Sequence, residues 1–372
     1  MVPWKRPIKH KLCGAYFIVV KFLFLVEGDF HMAKQRVEDL DWNNLGFHYR
    51  DLPYRFKAEF KEGKWQEGEL ITDATMHVSE AAEVLHYGQE IFEGLKAYRQ
   101  KDGSINLFRP EMNAKRFENS AKRMAMEAYP ADKFVEAVKE VVRANEEFVP
   151  PYGTGGSLYL RPFMIGTEPI VGVAPSTEFQ FRIYATPVGA YVQGLTPMPY
   201  LISDFDRAAF AGTGQVKTSG NYAGSLYPAM LAKKEGYADC LYLDPREHRY
   251  IDEFGGANFY GITKDGQFLT PKSDSILPSI TKQSLFEIAE KQGLNPKETT
   301  IALEDIDQFV EAGAMGTAAV ISPVGSLTYH GKKYIFNETE VGPKTQALYD
   351  ELVGIQLGDR PAPEGWIQKV EV

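Results

Sequence analysis

The sequence has little cysteine, since only Cys13 and Cys240 occur among its 372 residues. They lie far apart and neither belongs to a CxxC pair, which excludes a disulfide framework and a cysteine-based zinc site. The seven histidines are scattered and form no HExxH motif, so we predict no metal site. This composition suits a reducing compartment, and we expect the protein in the cytoplasm.

Long hydrophobic runs are also missing. The apolar stretch 15–26 is interrupted by Lys21 and is too short to cross a bilayer. Basic residues precede it, as in a signal peptide, but no small-residue cleavage site follows. We therefore interpret residues 1–31 as a leader or an over-extended start outside the fold, with Met32 as the first residue proper. A functional targeting segment is the alternative.

Basic residues are fewer than acidic ones, with 41 Lys and Arg against 50 Asp and Glu. The net charge is −9 and the pI is near 5.4. An acidic protein binds nucleic acid or an anionic membrane poorly, so we predict neither as a partner. A local basic pocket for a small anion is compatible with this balance. With 44% hydrophobic and 24% charged residues, the sequence is typical of a globular protein.

The length of the chain and the positions of its prolines and glycines indicate two domains. Three prolines and two glycines follow an alternating strand pattern and mark a linker. We predict a small N-terminal α/β domain over residues 32–187, a linker over 188–199 and a larger C-terminal domain over 200–372. Periodicity and capping residues predict helices over Asp132–Phe148, Ala223–Lys234, Ser279 to before Gly293, and Lys344–Leu357.

The stretch Gly212–Leu226 contains four glycines around Lys217. Glycine adopts positive φ freely, so we expect the main chain here to approach a ligand closely. Lys217, with Tyr222 five positions later, is a candidate Schiff-base nucleophile. A phosphate loop is excluded, because its pattern requires glycine where Ala211 and Val216 stand. A solvated lysine in a glycine-rich loop is the alternative.

Other stretches carry side chains suited to an anionic or cationic ligand group. Arg116 lies in the first turns of a predicted helix, where an arginine suits a phosphate. Tyr159 and Arg161 share one face of a predicted strand and together suit a carboxylate. Glu253, beside two glycines and an asparagine, suits a carboxylate directed inward. The alternatives are a solvated helix face, an internal ion pair and a turn residue, respectively.

The helix predicted from Ser279 begins with free N–H groups, which together with the Thr281 hydroxyl form an anion site. Thr317 lies among small residues before an apolar strand. Tyr87, Phe92 and Tyr98 surround a Gly-Leu-Lys turn, where aromatic residues of the core are the alternative.

Together these stretches resemble the branched-chain aminotransferases of the class IV aminotransferase family, which use pyridoxal 5′-phosphate (PLP). The resemblance extends from about residue 40 to residue 357. Its most specific part is Glu253-x-Gly255-x-x-Asn258-Phe259-Tyr260, then Phe268-x-Thr270 and Leu277-x-Ser279-Ile280-x-Lys282. It implies a two-domain mixed α+β and α/β fold, fold-type IV, similar to that of D-amino-acid aminotransferase.

The resemblance also implies roles for individual residues. Lys217 would bind PLP as a Schiff base and transfer the proton, Tyr222 would hydrogen-bond the phenolic oxygen, and Glu253 would face the pyridine nitrogen. The cofactor phosphate would be bound by Arg116, Ile280, Thr281 and Thr317. The substrate would contact Tyr87, Phe92, Tyr159, Tyr191, Arg161 and the main chain of Thr317 and Ala318, with Arg161 serving the second carboxylate of glutamate.

The implied reaction is reversible amino transfer between L-leucine, L-isoleucine or L-valine and 2-oxoglutarate, in a homodimer. Glu93-Gly-Leu-Lys96 separates this subgroup from D-amino-acid aminotransferases and aminodeoxychorismate lyases, which typically carry Glu-Val/Thr-Ile-Arg. Those enzymes, or an inactive protein that binds PLP or an amino acid, are the alternatives. The redox CxxC of mammalian members is replaced by Ala319 and Ser322, and Gly256 stands where some members have threonine.

Overall fold

The N-terminal part of the chain forms an antiparallel sheet covered by two helices. The computed structural model describes residues 34–189 and 195–371. The strands of this first sheet are β1 (Arg55–Lys61), β2 (Lys64–Trp65), β3 (Glu69–Ile71), β4 (Glu90–Phe92), β5 (Leu95–Arg99), β6 (Ile105–Phe108), β7 (Ser157–Gly166) and β8 (Phe179–Val188). The helices of this part are α1 (Glu83–Tyr87), α2 (Pro110–Arg123) and α3 (Ala131–Ala144).

Alternation along β7 places apolar and polar side chains on opposite faces of the sheet. Leu158 and Leu160 are fully buried in the core beneath α2 and α3. Tyr159 and Arg161 lie on the other face, as the sequence pattern predicted. One face of the first sheet therefore stabilises the fold, and the other carries polar side chains.

The helix predicted over Asp132–Phe148 ends earlier, because α3 stops at Ala144 and a 3-10 turn covers Glu146–Phe148. The buried Asn145 amide donates to the Val141 carbonyl and to Tyr54 O at 3.0 Å, while its oxygen accepts from Tyr54 N–H. A side chain that bonds to a distant loop competes with continuation of the helix. The last four residues of the prediction were therefore wrong.

The second sheet closes on itself. Its strands are β9 (Met198–Ile202), β10 (Cys240–Leu243), β11 (Ile251–Phe254), β12 (Asn258–Thr263), β13 (Gln267–Pro271), β14 (Asn295–Thr299), β15 (Phe309–Gly316), β16 (Val320–Tyr329) and β17 (Lys332–Ile335). The order β11-β10-β9-β16-β15-β12 is closed by the pairing of Glu253 in β11 with Asn258 in β12. The result is a barrel-like ring of six strands, which β13 and β14 extend beyond β12 and which β17 extends beside β16.

The remaining helices follow the sequence predictions to within one turn. They are α4 (Ser219–Lys234), α5 (Ile280–Lys291) and α6 (Pro343–Leu357). Ser279 caps α5 by accepting from Lys282 N–H, and Gly358 ends α6 at φ 76°. Helices α5 and α6 bury leucine and isoleucine side chains against the outside of the ring. Within the described residues, no helix is long and apolar enough to cross a membrane.

The last strand, β18 (Ile367–Val370), pairs with β6 and so returns to the first sheet. The chain therefore connects its two sheets at the C-terminal end as well as near residue 189. Part of the predicted linker 188–199 lies outside the described residues. The division at 32–187 and 200–372 stays a prediction.

The glycines of Gly212–Leu226 do not adopt the positive φ that we expected, since the residue with positive φ in this region is Ala211, at 52°. Gly214 is needed for another reason. A Cβ atom there would lie 2.2 Å from the carbonyl oxygen of Ser275. The expectation of positive φ was wrong, and the constraint is the close approach of two main-chain segments.

Replacing Gly214 by alanine should lower the free energy of unfolding by about 1–3 kcal/mol, because the added methyl group meets backbone that cannot rotate away. Gly220→Ala is the matched control, since no described residue beyond its own stretch of helix lies within 4 Å of the Cβ position. In helix α4 that change should stabilise by up to about 1 kcal/mol. Urea denaturation measures both, and equal stability of the two variants would contradict the packing argument.

Candidate active site

A cavity of about 230 Å³ is lined by residues from both sheets and from the loops between them. The predicted site residues that line it are Phe92, Arg116, Tyr159, Arg161, Lys217, Tyr222, Glu253, Thr317 and Ala318. The cavity shares Tyr222, residues 255–257 and Ala318 with a wider groove of about 950 Å³ beside α4. Residues separated by more than 200 positions in sequence are thus brought together around one space.

Lys217 lies two residues before α4 and is fixed through its main chain. Its N–H donates to Ser120 Oγ at 3.1 Å, and its carbonyl accepts from Phe92 N–H at 3.0 Å. Helix α4 begins at Ser219, one turn earlier than predicted, which places Tyr222 in its first turn. The Lys217 Nζ donates to the Tyr222 hydroxyl at 2.9 Å.

Aromatic rings surround the Lys217 amine. Its Nζ lies 4.7 Å from the ring centroid of Phe92 and 5.1 Å from that of Tyr222. The two rings pack edge to face with centroids 4.9 Å apart. Ring faces attract an ammonium group, so these contacts and the tyrosine hydroxyl hold the amine at one position on the cavity wall.

Glu253 supplies a buried carboxylate to the same cavity. It forms an ion pair with Arg207 at 2.7 Å, and it accepts from Leu277 N–H at 3.0 Å and from the Asn258 amide at 2.9 Å. Burial raises the pKa of Glu253 to about 7, even though the Arg207 charge acts in the opposite direction. The carboxyl therefore changes its charge near neutral pH.

Arg116 is oriented by the fully buried Glu93. The guanidinium donates from Nε to Glu93 Oε1 at 2.7 Å and from Nη2 to Oε2 at 2.8 Å, and Nη1 donates to Pro278 O at 2.9 Å. Burial alone would raise the pKa of Glu93, but the Arg116 charge and hydrogen bonds lower it overall. Since a guanidinium has five N–H groups, two remain without an acceptor among these contacts and are available to a ligand.

Arg161 lies on β7 beside Tyr159, as the strand alternation predicted. Its Nη2 donates to the Tyr159 hydroxyl at 3.1 Å, and its guanidinium carbon lies 4.9 Å from the Phe92 ring centroid. The buried Nε–H has no hydrogen-bond partner within residues 34–189 and 195–371. An unsatisfied buried donor is costly, so this edge of Arg161 is suited to a ligand acceptor.

Other predicted site residues lie outside this cavity. Ile280 and Thr281 line a neighbouring cavity of about 20 Å³ that also contacts Thr317. Tyr87 lies on α1, is 38% exposed and donates its hydroxyl to Val171 O, so the fold does not bring it to the cavity wall of its own chain. Tyr191 lies outside the described residues.

Sequence reasoning missed three residues that complete the site. Glu93 and Asn258 belong to motifs that carry the family resemblance, but no role for either residue was predicted from the sequence. Arg207 lies in the loop between β9 and α4 and carries no recognisable pattern. In the part of the chain that is described, no group of three or more His, Cys, Asp or Glu side chains is placed to bind a metal ion.

The buried carboxyl of Glu253 should make the stability of the cofactor-free protein depend on pH. Its pKa is about 7 in the folded state against 4.5 ordinarily, so between these values the folded protein retains a proton that the unfolded chain releases. The free energy of unfolding therefore falls as pH rises. From pH 4.5 to 7, wild type should lose about 3 kcal/mol relative to Glu253→Gln. Urea denaturation across that range measures this, and parallel profiles would contradict it.

The comparison with known proteins agrees with this geometry. Residues 90–327 match the family Amino-transferase class IV. A branched-chain-amino-acid aminotransferase of Haemophilus influenzae is 57% identical and covers 90% of this chain and 100% of that protein. The Helicobacter pylori protein of that name is 46% identical over 90% of this chain and 99% of its own.

A solved structure of the Escherichia coli branched-chain amino acid aminotransferase matches with a TM-score of 0.72 at 27% identity. The match covers 84% of this chain and 99% of that one. The fold class and the family predicted from the sequence are thereby confirmed. The chain belongs to the class IV aminotransferases.

Proposed function

We propose that the protein is a branched-chain amino acid aminotransferase. It exchanges the amino group between L-leucine, L-isoleucine or L-valine and 2-oxoglutarate, giving branched 2-oxo acids and L-glutamate. The observation that carries this proposal is the Lys217 amine, 2.9 Å from the Tyr222 hydroxyl, in a cavity that also contains Glu253 and three arginines. Relatives that are 57% and 46% identical bear this activity in their names.

The side chains of the cavity fit PLP, the cofactor of this family. An amine, Lys217, suits its aldehyde, and the buried carboxylate of Glu253 suits its ring nitrogen. The remaining N–H groups of Arg116 and the hydroxyl of Thr317 suit its phosphate. Gly255 and Gly256 leave part of the wall without side chains. When bound, PLP accepts the electron pair that is released at the substrate Cα.

Proton transfer is assigned to the Lys217 amine. With PLP bound, this amine would accept the proton that leaves the substrate Cα and would deliver a proton to the C4′ carbon of the cofactor. The Tyr222 hydroxyl and the Phe92 ring keep the amine on the cavity wall between these steps. Preorganised contacts of this kind supply orientation before the reaction begins.

The substrate side chain is assigned to the aromatic wall. Phe92 and Tyr159 offer apolar surface to a branched side chain, and the unpaired Nε–H of Arg161 offers a donor to the second carboxylate of 2-oxoglutarate. The main chain of Thr317 and Ala318 is assigned to the α-carboxylate. Contacts of Tyr87 and Tyr191 with substrate stay predictions from the family resemblance.

The test is turnover by PLP-loaded protein. Incubation with L-leucine and 2-oxoglutarate should give equal amounts of L-glutamate and 4-methyl-2-oxopentanoate, measured by chiral chromatography. Lys217→Ala should lower the rate about 10²–10⁴-fold, because the variant lacks the proton-transferring group. Lys133→Ala, on the exposed face of α3, is the control and should match wild type.

Several results would reject the proposal. Turnover of D-alanine in place of L-leucine would assign the chain to the D-specific branch. Amine release without transfer to 2-oxoglutarate would indicate a lyase, and PLP binding without turnover would indicate an inactive binding protein. Arg161→Met serves as an internal check, because it should impair reaction with 2-oxoglutarate far more than reaction with L-leucine.

We also infer that the active form is a homodimer. Helix α4 exposes large apolar side chains beside the site, with Leu226 at 71% and Tyr227 at 56%. Contiguous exposed apolar surface is typical of interaction sites. Sedimentation equilibrium should give twice the chain mass of 41.8 kDa, and Leu226→Asp should shift the protein toward monomer. A monomeric wild type would reject this inference. A cytoplasmic location stays a prediction from the sequence.

A further inference from the structure

Lys96 is a buried lysine that the proposed reaction leaves without a role. It lies on β5 and is 6% exposed. Its neighbours Leu95 and Ala97 belong to the core of the first sheet, whereas Lys96 and Tyr98 face the opposite side. There the Nζ of Lys96 donates to the carbonyl oxygen of Ala318 at 3.1 Å, which joins the first sheet to the turn between β15 and β16.

No carboxylate compensates this ammonium within the described residues. Burial lowers the pKa of Lys96 to about 8, and no acidic group contributes to the shift. Placing an unpaired charge in the interior costs free energy. A leucine or methionine would fill the same space without that cost, so the ammonium needs a reason to be present.

The turn that Lys96 contacts is itself strained. Gly316 and Val320 are paired across it, and Val320 adopts φ 58°. A β-branched residue in the left-handed region is an outlier that the surrounding contacts must hold in place. The hydrogen bond from Lys96 to Ala318 is one such contact, and it acts on the middle of the turn.

The direction of the Ala318 carbonyl matters for anion binding. Ala318 lines the 230 Å³ cavity, but Lys96 does not. The carbonyl oxygen is therefore directed to a side chain outside the cavity. An oxygen facing the cavity would repel a carboxylate, whereas a turn whose carbonyl points away can offer its N–H groups to an anion.

We propose that Lys96 is a positioning residue for substrate. Its ammonium holds the Ala318 carbonyl away from the cavity, so that the Thr317–Ala318 turn binds the α-carboxylate of the amino acid or 2-oxo acid through main-chain N–H groups. This inference rests on the proposed function, since that function supplies the carboxylate. It gives the last residue of the motif Glu93-Gly-Leu-Lys96 a physical role.

A competing role is support of the cofactor phosphate. Lys96 also lines the 20 Å³ cavity beside Thr281 and Thr317, two residues that were predicted to bind phosphate. Removing a cation that binds the phosphate would lower the affinity for the cofactor. Removing a cation that positions the turn would lower the affinity for a carboxylate. The two roles therefore differ in which dissociation constant responds.

The experiment uses PLP-loaded wild type and Lys96→Met, which keeps the length of the side chain and removes its charge. Tyr98→Phe is the matched control, because Tyr98 lies on the same face and, like Lys96, lines the 20 Å³ cavity and a second cavity of about 120 Å³. Isothermal titration measures the dissociation constants of 4-methylpentanoic acid and of its uncharged analogue 4-methylpentanamide. Release of PLP on dilution gives the cofactor affinity.

Lys96→Met should weaken binding of the carboxylic acid about tenfold and leave binding of the amide and of PLP unchanged. Tyr98→Phe should change none of these three affinities. Equal weakening of acid and amide, unchanged binding of the acid, or a selective loss of PLP affinity would overturn the proposal. If Lys96→Met does not fold, Lys96→Leu, which also removes the donor, is tested by the same criterion. Failure of wild type to transaminate L-leucine would reject the proposed function, but the contrast between acid and amide would still report on Lys96.

Discussion

The buried ion pair between Arg207 and Glu253 is the interaction on which the site depends. Glu253 lies where β11 pairs with β12 and the second sheet closes. Arg207 binds that carboxylate and also donates to the main-chain carbonyls of Gly214 and Ser275. One guanidinium therefore connects the closure of the sheet to the loop that carries Lys217. Removing one partner of a buried pair typically costs about 3–5 kcal/mol, because the other charge is left uncompensated, so the loss of either residue would affect both parts of the site.

The charged side chains that line the cavity or lie directly behind its wall fall into two groups. Glu93 pairs with Arg116 and Glu253 with Arg207, so these four are compensated within the protein. Lys217 and Arg161 line the same cavity, and in the described part of the chain neither forms an ion pair with a carboxylate. An uncompensated cation in a small cavity is where an anionic ligand gains most. The division explains how a chain of net charge −9 can contain a site for anions.

Short-range patterns predicted much of the fold. Helical spacing located α3, and alternation located β7 with Tyr159 and Arg161 on one face, because these signals depend on neighbouring residues alone. Contacts over long sequence distances could not be predicted. Asn145 ends α3 by binding a loop about 90 residues away, and Gly214 is required by the main chain of Ser275.

The residues of the site also divide into those that local motifs predict and those that only long-range contacts bring to the cavity. Lys217, Tyr222 and Glu253 could be found because their motifs are local and specific. The partner of Glu253 could not be found, since Arg207 stands in a loop without periodicity and becomes recognisable only when the chain folds over it. Tyr87 belongs to a specific motif, yet the fold places it outside the cavity of its own chain. A sequence motif therefore predicts which residue is important more reliably than it predicts which surface that residue lines.

Dual specificity requires that an apolar side chain and a second carboxylate occupy the same region in turn. A lysine there would present a strongly hydrated point charge to leucine, whereas a guanidinium is planar and more weakly hydrated. Arg161 packs against aromatic rings, with its guanidinium carbon 4.9 Å from the ring centroid of Phe92 and 5.4 Å from that of Tyr159. The two aromatic rings and the flat face of the guanidinium suit a branched side chain, and the unpaired Nε–H of Arg161 suits a carboxylate. The α-carboxylate is common to every substrate, so a rigid main-chain turn is enough to bind it. The proposed function thus assigns recognition of the variable group to a side chain on the first sheet, and recognition of the constant α-carboxylate to the turn between β15 and β16.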